Sequence, residues 1–136
     1  MIIFDVEANG LVDSATKIHC LSYISTSSDD TIKTTCDYDE MRDLLLSQDG
    51  LVGHNIIRYD IPLLNRILGI DIKARRFDTL PMSWVINPSR ARHGLDSFFP
   101  DFGIEKPKIE DWDNLSLGDY VNRCEQDVKI TQALWS

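Results

Sequence analysis

The sequence predicts an α/β protein in which a mixed β-sheet is flanked by helices. Residues 1–7, 17–25 and 31–36 have strand-like patterns and are joined by short turns. This order predicts an antiparallel meander. After residue 38 the apolar residues recur at helical spacing and alternate with a short apolar run, which predicts β–α units and parallel strands. A meander followed by β–α units gives a mixed sheet.

Four helices, one more strand and several connecting segments are predicted after the meander. Gly69 and the Asn87-Pro88 pair are typical helix stops. The predicted helices cover residues 38–48, 60–68, 79–86 and 116–134, and the strand covers residues 51–54. The connections are a short basic segment at 70–76, a basic loop at 89–92, a short helix at 94–99, a turn at 100–103 and an irregular segment at 104–114.

Size and composition predict a single domain spanning residues 1–136. Acids outnumber bases 22 to 14, and the net charge of −8 argues against broad electrostatic binding to nucleic acid. A narrow contact through metal ions remains compatible with this charge. Cys20, Cys36 and Cys124 are widely spaced, which argues against a disulfide framework or zinc site and favours a reducing, cytoplasmic location. No stretch is long enough to cross a membrane.

The amino-terminal strand carries two acids on one face. Asp5 and Glu7 are two residues apart, and a strand repeats every two residues. Because clustered carboxylates repel one another, either a cation lies between them or one stays protonated. Mg²⁺ and Mn²⁺ are the cations that all-oxygen ligands favour. Asp60 follows the short apolar run and Asp127 borders the apolar face of the last helix, so both are candidates to complete such a site.

These acids form three motifs in a recognisable order. The first is the acid pair in residues 5–9, the second runs from an Asn to an aromatic-Asp pair in residues 55–60, and the third contains Asp127. Together they resemble the DEDD superfamily of 3′–5′ exonucleases, the DnaQ-like branch of the ribonuclease-H-like fold. The chain is most similar to the proofreading domain of family-A DNA polymerases from short-tailed phages. Residues 77–80 and 92–96 resemble connecting segments of the same domains.

The resemblance implies a ribonuclease-H-like fold and a site for two divalent cations, Mg²⁺ or Mn²⁺. Asp5 would bridge the two ions, Glu7 and Asp127 would hold the first, and Asp60 would act on the second, largely through water. Two such ions, roughly 3.5–4 Å apart, bind the attacking water and the leaving 3′ oxygen in an in-line displacement. The same motifs imply substrate contacts by Ala8, Asn9, Asn55 and Tyr59.

The third motif departs from the family pattern. One branch has Tyr four residues before the last Asp, and the other has His five residues before it. Those positions here are Arg123 and Asn122. Arginine is not a base at neutral pH, but it can contact a phosphate or stabilise transition-state charge. We therefore predict a catalytic and substrate-binding role for Arg123, with water activated mainly by the metals.

The sequence thus predicts a stand-alone 3′–5′ exonuclease that acts on single-stranded or frayed DNA. A separate DNA polymerase is a candidate partner, in the host cytoplasm if the gene belongs to a phage. One alternative is the same chemistry on RNA, since recognition of a 2′-OH leaves no signal here. The other is a non-catalytic module that binds nucleic acid or a polymerase. The four acids favour the enzyme, whereas the missing Tyr or His favours the module.

Overall fold

A five-stranded mixed sheet forms the centre of the structure, a computed structural model that describes residues 1–27, 31–86 and 116–135. The strands are β1 (Ile2–Ala8), β2 (Ile18–Ser25), β3 (Lys33–Thr35), β4 (Gly50–Gly53) and β5 (Arg75–Asp78). They lie in the order β3-β2-β1-β4-β5. The first three strands pair antiparallel, whereas β4 pairs parallel with β1 and β5 pairs parallel with β4. The predicted fold class is confirmed.

The helices are close to their predicted positions. They are α1 (Tyr38–Ser47), α2 (Ile61–Leu68), α3 (Thr79–Ile86) and α4 (Leu117–Trp135). None of the helices in the described ranges is both long and apolar enough to span a membrane. The predicted segments between residues 87 and 115 lie outside the described residues. That the whole chain is a single domain stays a prediction.

Two local elements differ from the prediction. Residues 75–78 form an edge strand, β5, because they pair in parallel with β4. The sequence did not predict this strand because Arg75 and Arg76 are charged and exposed. Charged residues are nevertheless common on sheet edges. A π-helical turn, Ile56–Asp60, also precedes α2, where the sequence predicts only the helix start at Asp60.

The two faces of the sheet bury different residues of β1. Ile2, Phe4 and Val6 pack on the face that carries the larger apolar core. Ile3 points to the opposite face, where it belongs to a smaller cluster with Val128 of α4. Because side chains alternate along a strand, the odd-numbered residues of β1 all face α4. This alternation decides where the acids of β1 point.

Candidate active site

Three carboxylates meet between β1 and α4. Asp5 and Glu7 leave the face of β1 that α4 covers, and Asp127 lies on the buried side of α4. Each of the three offers an oxygen, and these oxygens lie within 4.8 Å of one another. One turn before Asp127, the Cys124 thiol donates a hydrogen bond of 3.0 Å to the Asp5 carbonyl. This contact and the surrounding packing hold the two elements together at the acids.

Asp60 reaches the same place from the other side of β1. The parallel pairing of β1 with β4 ends at Ile3 and Val52, so the remainder of β1 is open on that side to the π-helical turn. Asp60 ends this turn, is only 3% exposed, and accepts a hydrogen bond from the backbone of Val6. The structure therefore brings together the four acids that the sequence singles out.

Burial and mutual repulsion dominate the electrostatics of this cluster. Burial, followed by the charges of Asp127, Asp60 and Glu7, raises the pKa of Asp5 well above its ordinary value. Burial also raises the pKa of Asp60, with smaller effects from Glu7 and Asp127 and then from Asp78. These are the shifts expected for buried carboxylates that lie close to one another.

The oxygens of the cluster fit a hard divalent cation. Oδ2 of Asp5 and Oδ2 of Asp60 are buried, and neither accepts a hydrogen bond from any residue that the structure describes. A buried carboxylate oxygen of this kind is stabilised by a cation. All-oxygen ligands with several negative charges are those that Mg²⁺ and Mn²⁺ prefer. The donor set thus suits the predicted metals.

Arg123 lies beside the acidic cluster, one turn before Asp127 on α4. Its Nε is 3.8 Å from Oε1 of Glu7, and the side chains are 15% and 17% exposed, respectively. Tyr120, a further turn away, stacks on His19 with ring centroids 3.9 Å apart. His19 lies where the β1–β2 register shifts, and such a bulge redirects a side chain. A guanidinium therefore lies beside the acidic cluster, and its substrate role stays a prediction.

The predicted substrate residues have structural contacts of their own. The Asn9 side chain donates to the Thr16 hydroxyl and accepts from the amides of Thr16 and Lys17, closing the loop after β1. The Tyr59 hydroxyl donates to the Gly10 carbonyl at 2.7 Å, and burial raises its pKa. Substrate binding by either side chain would compete with these bonds. It therefore stays a prediction.

The other two predicted substrate residues are Ala8, which has no polar side-chain atom, and Asn55, whose side chain makes no capping hydrogen bond within the described residues. Ala8 ends β1 and is half-buried opposite Ile18. Asn55 adopts a left-handed conformation with φ 61°. It lines a cavity of about 220 Å³ with Arg58 and Trp84. Substrate contacts by Ala8 and Asn55 also remain predictions.

Asp78 is the residue beside the site that sequence reasoning missed. It ends β5, is 5% exposed, and accepts hydrogen bonds from the backbone amides of Asn55, Ile57 and Leu80. The bond from Leu80 is that of a helix cap, so an Asp directly before a predicted helix was the available signal. The other two bonds arise only from the tertiary structure.

Comparison with known proteins supports the predicted resemblance. No family model matches the sequence. The DNA-directed DNA polymerase of Escherichia phage T7 is 32% identical over 100 residues, a match that covers 64% of this chain and 14% of the polymerase. The chain therefore corresponds to a small part of that protein.

Solved structures of nucleases superpose on almost the whole chain. A structure described as the apo form of the nuclease has a TM-score of 0.72 and 20% identity, over 98% of this chain and 69% of the other. NrnC of Brucella melitensis bound to pGG has a TM-score of 0.71 and 17% identity, over 98% and 70%. The same protein with bound Mg²⁺ has a TM-score of 0.68 and 18% identity, over 98% and 71%.

The alignments cover 98% of this chain although the sequences are only 17–20% identical. The fold and the partial match to a phage polymerase agree with the resemblance that the three motifs predict. The chain has a ribonuclease-H-like fold, and its three motifs resemble those of the DEDD, DnaQ-like exonucleases.

Proposed function

We propose that this protein is a metal-dependent 3′–5′ exonuclease that hydrolyses phosphodiester bonds at 3′ ends of single-stranded or frayed DNA. The observation that carries the proposal is the carboxylate cluster. Asp5, Glu7 and Asp127 have oxygens within 4.8 Å of one another, and the buried Asp60 lies against the same strand. The similar structures, which are those of nucleases, support the same reading.

The protein's own groups would bind the metals and orient the phosphate. Asp5, Glu7 and Asp127 would hold one divalent cation, and Asp60 would complete a second site together with Asp5. Bound Mg²⁺ or Mn²⁺ supplies Lewis-acid stabilisation of the charge that develops on the phosphate. Arg123 lies beside Glu7, so its guanidinium would place a positive charge near the bound phosphate and stabilise the same developing charge. That NrnC binds Mg²⁺ supports the proposed metal.

DNA is the substrate that the comparisons favour. The relative with 32% identity is a DNA polymerase, which supports DNA as the substrate. It also supports a proofreading role beside a separate polymerase. That NrnC binds pGG supports recognition of a short nucleotide end. A non-catalytic binding module is the second candidate, because a guanidinium lies near Glu7 where the family has Tyr or His.

Digestion of labelled oligonucleotides tests the proposal. We expect the protein to shorten 5′-labelled single-stranded DNA stepwise from a free 3′ hydroxyl in Mg²⁺ or Mn²⁺, and to release mononucleotides. A blocked 3′ end should stop the reaction, and EDTA should abolish it. Asp5→Asn should be inactive. Asp43→Asn, an exposed acid on α1, should cleave like the wild type.

Each failure identifies a different alternative. Equal cleavage of circular single strands would indicate an endonuclease. Faster digestion of an RNA strand of the same sequence would indicate an exoribonuclease. Binding of DNA without cleavage, in a protein that binds Mn²⁺, would favour the non-catalytic module. Undiminished cleavage by Asp5→Asn would refute the assignment of the site.

A further inference from the structure

A buried carboxylate outside the acidic cluster holds the segment that leads to Asp60. Asp78 ends β5 and is paired in register with Gly53, the last residue of β4. Its Oδ1 accepts hydrogen bonds from the amides of Asn55 at 2.7 Å and Leu80 at 2.9 Å. Its Oδ2 accepts one from the amide of Ile57 at 3.1 Å. The carboxylate thus joins the start of α3 to the chain that leaves β4.

This chain segment has an uncommon backbone that needs such support. Asn55 is the one non-glycine residue with positive φ in the described ranges, and it is followed directly by the π-helical turn Ile56–Asp60. The first amides of a helical turn have no partner within the turn. Asp78 accepts from two of the amides at this start, and bonds to a carboxylate are stronger than those to a neutral acceptor. Asp60 is the last residue of the turn that these bonds anchor.

A second set of contacts limits movement before the turn. The Thr79 hydroxyl lies 3.3 Å from the Gly53 carbonyl and 2.8 Å from Nδ1 of His54. These distances fit a hydroxyl that donates to Gly53 and accepts from the imidazole. A side chain at Gly53 would lie 2.2 Å from Cγ2 of Ile56, so the backbone and Ile56 are already in close contact. The segment from β4 to the turn is therefore held on two sides.

We propose that Asp78 is a positioning residue, which holds Asp60 where it can serve the second divalent cation while itself contacting neither metal nor substrate. The proposal rests on the proposed function for its metal but not for its geometry. Asp78 controls the turn through backbone amides, so its loss should displace Asp60. The site formed by Asp5, Glu7 and Asp127 is built on β1 and α4, and it should remain intact.

Calorimetric titration with Mn²⁺ tests this inference. It is run with dTMP present, because the phosphate supplies oxygen ligands that a single carboxylate lacks. We expect two Mn²⁺ sites in the wild type. Asp78→Ala should weaken one of them about 10–100-fold, as changes to supporting residues typically do, and leave the other unchanged. In digestion assays kcat should fall by more than KM changes.

Two further variants separate positioning from general stability. Asp78→Asn keeps one oxygen that can accept from Asn55 and Leu80, so it should retain an intermediate affinity at the weakened site. Asp37→Ala is the matched control, since Asp37 caps α1 by accepting from the Asp39 amide at 2.9 Å. It should lower the melting temperature yet leave both Mn²⁺ sites as in the wild type.

The outcomes distinguish this inference from the proposed function. Two unchanged Mn²⁺ sites in Asp78→Ala and Asp78→Asn would overturn the inference, and so would equal weakening of both sites. A wild type with a single site would overturn it as well. If the wild type binds two Mn²⁺ but cleaves nothing, the proposed function fails, while selective loss of one site in the Asp78 variants still supports the positioning role.

Discussion

The acidic residues of the site oppose folding when no metal is bound. Burial and mutual repulsion raise the pKa of Asp5 and that of Asp60. A carboxyl group with a raised pKa in the folded state holds its proton more tightly there than in the unfolded chain. Its contribution to stability is full below the unfolded pKa, about 4. It is lost as the pH rises through the folded value.

We therefore expect the metal-free protein to lose stability as the pH rises from about 4 towards 8. Asp5→Asn and Asp60→Asn remove the ionisation, so both should flatten this dependence and raise the free energy of unfolding at pH 8. Urea denaturation in EDTA measures the effect, and Asp43→Asn serves as the control. An Asp5→Asn protein less stable than the wild type at pH 8 would contradict the prediction.

The position of Arg123 makes a separate prediction about substrate binding. If the guanidinium contacts a phosphate, Arg123→Ala should weaken binding of single-stranded DNA and reduce the slope of log K against log salt by about 0.7. Lys129→Ala removes one exposed charge from the same helix and is the control. Equal salt slopes for the Arg123 and Lys129 variants would contradict the phosphate contact.

The same position also tests how water is activated. Arg123→Tyr restores the residue type that one branch of the superfamily has at this position. If the native protein lacks only the water-orienting group, turnover in Mg²⁺ should rise, and such terms are worth about 10²-fold or more. We also expect the native protein to be slow in Mg²⁺ and faster in Mn²⁺. Unchanged turnover in Arg123→Tyr would contradict the prediction that a missing water-orienting group limits the rate.

At the scale of the elements, the junction between β4 and the π-helical turn leaves no room for a side chain at Gly53. Gly53→Ala would place a Cβ 2.2 Å from Cγ2 of Ile56 and 3.2 Å from the Phe4 carbonyl. Because the neighbours are backbone and a fully buried side chain, the turn must shift. We expect a loss of about 1–3 kcal/mol in unfolding free energy, together with a loss of nuclease activity.

Gly69→Ala is the matched control for Gly53→Ala. Gly69 has φ +66° and ends α2, and a Cβ there would meet nothing within 4 Å. Its substitution should cost about 1 kcal/mol through backbone strain and leave activity intact. Chemical denaturation and oligonucleotide digestion of both variants separate the two effects. If both variants cleave DNA like the wild type, the turn does not control the site.

At the scale of the whole molecule, the site links elements that are distant in sequence. Asp5 and Glu7 come from β1, Asp60 from the π-helical turn and Asp127 from α4. Because the unfolded chain cannot bring these groups together, a metal that they bind stabilises the complete fold. The chain's net charge of −8 increases the benefit of a bound cation.

We expect Mn²⁺ or Mg²⁺ to raise the melting temperature reversibly. At a concentration about 100 times the Kd, one site contributes about 2.7 kcal/mol, which corresponds to a shift on the order of 5–10 °C. The shift should disappear in Asp5→Asn and Asp127→Asn and persist in Asp43→Asn. Thermal melts with and without EDTA measure it. An equal shift in Asp5→Asn would place the metal elsewhere.

Much of the fold and part of the site follow from local periodicity. The two-residue repeat of a strand predicts that Asp5 and Glu7 share one face, and the helical repeat predicts that Asp127 borders the buried side of the last helix. The motif order then predicts the superfamily. These features depend on residues close in sequence, for which side-chain direction follows from the element type alone.

The tertiary structure alone decided how Asp60 reaches the cluster. The turn that ends at Asp60 is held by Asp78, which lies 21 and 23 residues from its two partners, Ile57 and Asn55. That contact exists only because β5 pairs in parallel with β4, and no local pattern encodes the pairing. Hydrogen bonds between distant backbone segments depend on how strands are ordered in the sheet. Sequence periodicity therefore predicted the acids of β1 and α4, whereas the support for Asp60 emerged only from the folded chain.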